Sequence, residues 1–259
     1  MLKLIKLEFT RKSRLIAMTL ITAVALNIFL ITRGPAGSSM FLVLFPPVLS
    51  ILYLVDIIKM YSEDLNKKTG YMLFMTPFSG YKIISSKLLT AVLEGFAILL
   101  IYFIFIIING IYIVVSTGAE IDYSQIIRIV DNLLSGSFGV SLGHIFIFLL
   151  AALTFLIAFI TTVYTAMTIR KSIFSEIKFG GLLSFIIFLL INWVLSFVSS
   201  KFFNIITPYY DSIDTMSSTG SVSASGFAMI LLPMIAVLII QAIAFTGISG
   251  YLLEKKINL

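Results

Sequence analysis

The chain has no cysteine, one histidine, one tryptophan and six prolines in 259 residues. Without a thiol there is no disulfide framework, no thiolate metal site and no cysteine nucleophile. A single histidine, His144, cannot build a metal site. Charge is scarce as well. Asp, Glu, Lys and Arg make up 12% of the residues, against about a quarter in an ordinary soluble domain. The place of charge is taken by apolar side chains, 59% of the chain, with 23 Phe and a mean hydropathy of +1.11. Disorder is excluded by that hydrophobicity. The class that remains is an all-α integral membrane protein with several spans.

Uncharged runs cover 15–32, 34–55, 95–119, 132–169, 179–200 and 215–253. A span needs about 20 residues, at about 1.5 Å each, to cross the hydrocarbon. Six transmembrane helices are therefore expected near 15–32, 38–58, 88–114, 143–168, 180–199 and 227–252, in a single domain over 1–259. Lys3, Lys6, Arg11, Lys12 and Arg14 resemble the charged start of a signal peptide. The apolar run that follows is too long for one, and no small-x-small cleavage site follows it, so the segment is expected to stay as a span.

Lys and Arg set the orientation. With the N-terminus inside, the inner segments 1–14, 59–87, 169–178 and 253–259 hold 15 of the 18 basic residues. Arg33, Arg128 and Lys201 are left outside, among Glu120, Asp122, Asp131, Asp211 and Asp214. The expected location is the cell membrane, multi-pass, with both termini cytoplasmic. The net charge of +6 then reports topology rather than nucleic-acid binding.

The segment 1–14 places Leu2, Ile5 and Phe9 among cations, as in a short interfacial helix or a plain basic flank. Tyr123, Ile126, Ile127, Val130, Leu133 and Leu134 share one helical stripe, so 121–134 is expected to lie flat on the outer surface. The Ser/Thr-rich stretch 202–225 reads as an external loop or a pair of short helices. Pro233 is expected to kink or break the sixth helix.

The stretch between the second and third spans carries the most information. Ser62 is a fair N-cap, with Glu63 and Asp64 in the first turn of a new helix. That helix would present Leu65, Met72, Leu73 and Met75, and Thr76-Pro77 would stop it. Ser79 would then cap the next helix, which carries Lys82 and Lys87 into the membrane. A short apolar-faced helix joined to a span can float at the lipid interface or dock into a soluble partner.

The order of acidic residues, Lys/Thr-Gly, an aromatic-hydrophobic run, Thr-Pro-x-Ser and Lys-Leu-Leu at the mouth of a span resembles the ABC-2 type membrane subunits of ATP-binding-cassette exporters. The resemblance implies that 61–87 holds the cytoplasmic coupling helix, the contact for a separate ATPase subunit. It carries over to Glu63, Asp64, Thr69 and Gly70, then to Leu73, Phe74, Met75, Thr76 and Pro77, and to Ser79 and Lys87. Met72 belongs to the same apolar face. The family more often reads Gly-Thr where this chain has Thr69-Gly70. A subfamily of similar length exports amphipathic cytolytic peptides of the phenol-soluble-modulin kind. The resemblance further implies a second permease copy, as a homodimer or with a sister permease, and ATP and Mg bound by the partner rather than by this chain.

The chain's own residues agree. There is no G-x-x-x-x-G-K-[ST] loop to cradle ATP, no H-E-x-x-H and no G-x-S-x-G, so no catalytic residue or metal ligand is expected. Glu94 is expected as the only acid well inside a span, where insertion costs about 2.5–3.5 kcal/mol. It lies about 10 Å along the helix from Lys87. It either lines a substrate path or closes a structural ion pair. Asn27, Asn109, Asn192 and Gln241 are expected to hydrogen-bond between helices. Thr154, Ala158, Thr162 and Ala166 form a small-xxx-small stripe for close packing.

Two functions are compatible with this. One is the membrane subunit of an ATP-driven exporter of an amphipathic or hydrophobic substrate, a membrane-active peptide ahead of a lipid or small drug. The other is a non-transporting accessory or immunity membrane protein.

Overall fold

The computed structural model describes residues 2–66, 79–118, 124, 131, 141–174, 180–214 and 224–255. Six long helices fill them: α1 (Leu2–Ile31), α2 (Pro35–Asn66), α3 (Gly80–Ser116), α4 (Leu142–Ile173), α5 (Gly180–Asp214) and α6 (Ala224–Lys255). All six are long and apolar enough to cross a membrane. Ile, Val and Phe lower helix propensity in water, but in hydrocarbon the backbone must satisfy its own hydrogen bonds, and a helix does so within one segment. Large apolar side chains such as Val43, Phe146 and Trp193 stand exposed on the helix surfaces, as lipid-facing side chains do.

The helices are longer than the uncharged runs. The 30 residues of α1 span ~45 Å, against ~30 Å of hydrocarbon. The expected interfacial helix over 1–14 is the start of α1 itself, with no break before the span. Its packed face holds Leu4, Ile5, Glu8 and Lys12, with Phe9 only half-buried at its edge. Ser62, Glu63 and Asp64 do not begin a new helix, because α2 runs through them to Asn66. At the other end of the chain, α5 continues to Asp214 through Pro208, so 202–214, expected as an external loop or a pair of short helices, prolongs the fifth helix. Pro233 lies inside α6 without ending it. The expected surface helix over 121–134 lies outside the described residues apart from Ser124 and Asp131.

The chain divides into two compact units, residues 1–73 with 82–122, and residues 74–81 with 123–259. In unit 1, α1 and α2 form a hairpin. Gly34, at φ +88°, donates its N–H to the carbonyl of Ile31, and Pro35 opens α2. Glycine tolerates that left-handed turn, and proline suits a first helical position that has no N–H partner. Phe41 and Phe45 of α2 stack with centroids 4.5 Å apart, and Phe105 of α3 meets each edge-on at 5.2 Å. Ala23 of α1 completes this core.

Pro46 and Pro47 sit inside α2. Pro46 lacks the N–H that would bond to the carbonyl of Leu42. The Tyr102 hydroxyl of α3 donates to that carbonyl instead, at 3.0 Å. Tyr53 likewise donates to the carbonyl of Ala91 at 2.7 Å, beside Gly95, where a side chain would crowd the hydroxyl. Tyr112 donates to the carbonyl of Ile31, in the last turn of α1, at 3.0 Å.

Unit 2 is built on α4 packed against α6, with α5 beside them. All four residues of the small-residue stripe, Thr154, Ala158, Thr162 and Ala166, are buried. Thr165 meets Ser249 at 2.8 Å, and Gln241 donates to Thr162 at 3.0 Å. The stripe therefore packs within the chain, with polar contacts on its flank. Ser141 precedes α4, and its N–H donates to the Nδ1 of His144 at 3.1 Å, so the lone histidine serves a helix end. Of the intramembrane amides, Gln241 and Asn109 bridge helices as expected. Asn192 donates to Phe188 in its own helix, and the Oδ1 of buried Asn27 has no hydrogen-bond partner among the described residues.

Candidate functional site

The most unusual chemistry lies in unit 1, where charged residues of three helices meet in the interior. α1 presents Glu8, Arg11 and Lys12, spaced by three and four so that they share a face. α2 presents Asp56, Glu63 and Asp64, and α3 presents Lys87 and Glu94, each set again near whole helical turns. Burial of such groups is costly unless each finds an opposite charge.

Each lysine joins two carboxylates. Lys87 Nζ lies 2.7 Å from Glu8 and 2.5 Å from Asp64, tying α3 to both other helices. Lys12 Nζ lies 2.8 Å from Glu94 and also pairs with Asp56. Arg11 adds Asp64 at 2.8 Å and Glu63 at 3.6 Å. Lys87 is 1% exposed, so it is a structural clamp and not a surface charge.

Two cavities border the Lys12 pairs. A polar one of about 160 Å³ lies among Glu8, Arg11, Lys12, Lys59 and Glu63. An apolar one of about 260 Å³ runs between α1, α2 and α3 along Ile16, Ala23, Phe45, Leu49 and Ile98, and ends on Asp56 and Glu94. Leu15 and Asp56 line both. The result is an amphipathic hollow, with carboxylates where its apolar part meets its polar part.

The sequence-derived site residues are distributed as follows. Glu94 is buried, pairs with Lys12 and lines the apolar cavity. It is not the only acid at this level, because Asp56 stands beside it on the same lysine. Glu63 and Asp64 lie in the last turns of α2 and face Arg11, with Asp64 buried. Ser79 directly precedes α3. Thr69, Gly70, Met72, Leu73, Phe74, Met75, Thr76 and Pro77 lie outside the described residues.

Sequence reasoning passed over Glu8, Lys12 and Asp56. The signal was present in the i, i+3, i+4 and i+7, i+8 spacings of 5-8-12 and 56-60-63-64, which put acids and bases on the apolar face of each helix. Comparison with family models, with curated proteins and with solved structures finds no match.

Proposed function

We propose that the chain is the membrane subunit of an ATP-driven exporter of the ABC-2 type. In this reading a separate ATP-binding-cassette ATPase binds ATP and Mg at the cytoplasmic side. The segment 61–87 receives its motion, and a second permease copy completes the path. The observation that carries the reading is the amphipathic hollow of unit 1. Three of the six spans, α1, α2 and α3, line an apolar cavity of about 260 Å³ whose wall carries Asp56 and buried Glu94. A protein that only anchors or packs has no need of buried carboxylates beside an open apolar volume, since ion pairs there are costly to maintain. A transport path for an amphipathic molecule needs both features. The cargo is amphipathic or hydrophobic, with a membrane-active peptide first.

The resemblance of 61–87 to a coupling segment supports the same assignment. The continuity of α1 and α2 with their charged ends adds a physical reason, because a push at those ends passes into the spans without a hinge. The test is co-expression with the ATP-binding-cassette ATPase encoded nearest to this chain. Met72→Asp with Phe74→Asp should release the ATPase from the purified complex, or abolish its stimulation, with all six spans inserted. Co-purification at wild-type yield with normal stimulated hydrolysis would overturn the assignment. Export assays with peptides, lipids and drugs in the reconstituted complex then decide the cargo.

A further inference from the structure

The apolar cavity of unit 1 is bordered by Asp56 and Glu94, which share Lys12. Among the described residues, Lys12 is the cation ion-paired to Asp56 and Glu94. One ammonium between two carboxylates leaves one negative charge over when both are ionised. In a low-dielectric interior that excess is costly until a proton or a second cation joins it. The cavity beside it holds about 260 Å³. A dry cavity of about 150 Å³ already accepts a benzene ring, so there is room for one ring or a short alkyl chain with a head group. A whole helix would need the added volume that a second permease copy supplies. Leu20 and Leu52 line the cavity and are also exposed, 41% and 47%, so it reaches the surface of the unit.

We propose that this cavity binds one small amphiphilic monocation, an alkyl- or arylalkylammonium. Its chain lies against Phe45, Leu49 and Ile98, and its ammonium donates hydrogen bonds to Asp56 and Glu94 beside Lys12. An anion would face two carboxylates whose one lysine is already engaged. An alcohol would fill the apolar volume and leave the charge excess in place. The ammonium answers both demands, because charged hydrogen bonds in a buried site are the stronger kind. The Tyr53 hydroxyl stays on the carbonyl of Ala91 and lends its ring to the wall. This assignment deepens the exporter reading by naming a ligand class for its hollow. It concerns binding by this chain alone, so either can fail without the other.

The absence of cysteine makes the test direct. Ala97→Cys puts a single thiol in the cavity wall. The variant, in lipid nanodiscs at neutral pH without any ATPase, is alkylated with N-ethylmaleimide and followed by mass spectrometry. Octylammonium, 1-octanol and octanoate are compared at matched concentrations in the lipid. Octylammonium should slow alkylation saturably and at about tenfold lower concentration than octanol, with octanoate without effect. Asp56→Asn and Glu94→Gln on the same background should erase the preference for ammonium and leave the weak protection by octanol. Equal protection by octanol and octylammonium, no saturable protection, or a thiol that never reacts would each overturn the proposal. So would protection confined to a cationic amphipathic peptide, which would assign the site to a macromolecule. If the carboxylate variants do not fold, the three-ligand comparison on the first variant decides alone.

Discussion

The hydroxyl of Tyr102 on α3 lies 3.0 Å from the carbonyl of Leu42 on α2, the acceptor that Pro46 leaves without its helical donor. A proline inside a span is tolerated where a neighbouring helix re-satisfies the released carbonyl, and Tyr102 does this.

Tyr102→Phe should therefore lower thermal stability by about 1 kcal/mol, within the range of intramembrane hydrogen bonds. With Pro46→Ala in place, the helical N–H returns to Leu42, and the same Tyr102→Phe change should cost nearly nothing. A double-mutant cycle on thermal unfolding in detergent measures the difference. Equal losses on the two backgrounds would show that the hydroxyl is not serving that carbonyl.

Lys87→Met should be among the most damaging single changes in unit 1. It leaves Glu8 and Asp64 buried without their lysine, and breaking a buried pair costs about 3–5 kcal/mol. Adding Glu8→Gln and Asp64→Asn should recover most of the loss, because neutral partners need no cation. A triple variant no more stable than Lys87→Met would mean that Lys87 acts through packing alone.

The six apolar helices were legible in the sequence because hydrocarbon imposes one rule on every residue of a span. Their ends were not. Lys3 to Arg14 read as a flank, and Ser62 to Asp64 as the start of a new helix, because charge was taken to mark the end of a span. In unit 1 that charge is matched instead by other helices. Lys12 pairs with Asp56 and Glu94, 44 and 82 residues away, and no local pattern reports a partner at that distance. Glu94 could be singled out because it stands alone in an apolar run. Asp56, at the boundary of one, could not. The Thr154–Ala166 stripe was legible for the opposite reason, since a four-residue period is local.

Gly250 of α6 lies against the ring of Tyr81, so that a Cβ there would overlap it. Gly250→Ala should destabilise by about 1–3 kcal/mol through overpacking. Tyr81→Ala should relieve most of that penalty when the two are combined. The thermal midpoints of the four proteins give the coupling, and additive losses would place the strain elsewhere.

If two copies face each other across a path, as the exporter reading requires, exposed positions of the first and fifth spans should approach between chains. Met18→Cys and Phe197→Cys place thiols on the exposed faces of α1 and α5. Oxidation in native membranes should give disulfide-linked dimers for at least one of them, read on a non-reducing gel. A monomer that keeps full transport activity would refute the arrangement.

The clamp on Lys87 also fixes an order of events during biosynthesis. The ribosome delivers Glu8, Arg11 and Lys12 first, then Asp56 and Asp64, and only afterwards Lys87 and Glu94. Once α2 is in place, Lys12 has Asp56 and Arg11 has Asp64, so two cations are already matched. Glu8 must wait for α3. A nascent chain halted before residue 87 thus carries an acid that can neither settle in the apolar interior nor find its lysine.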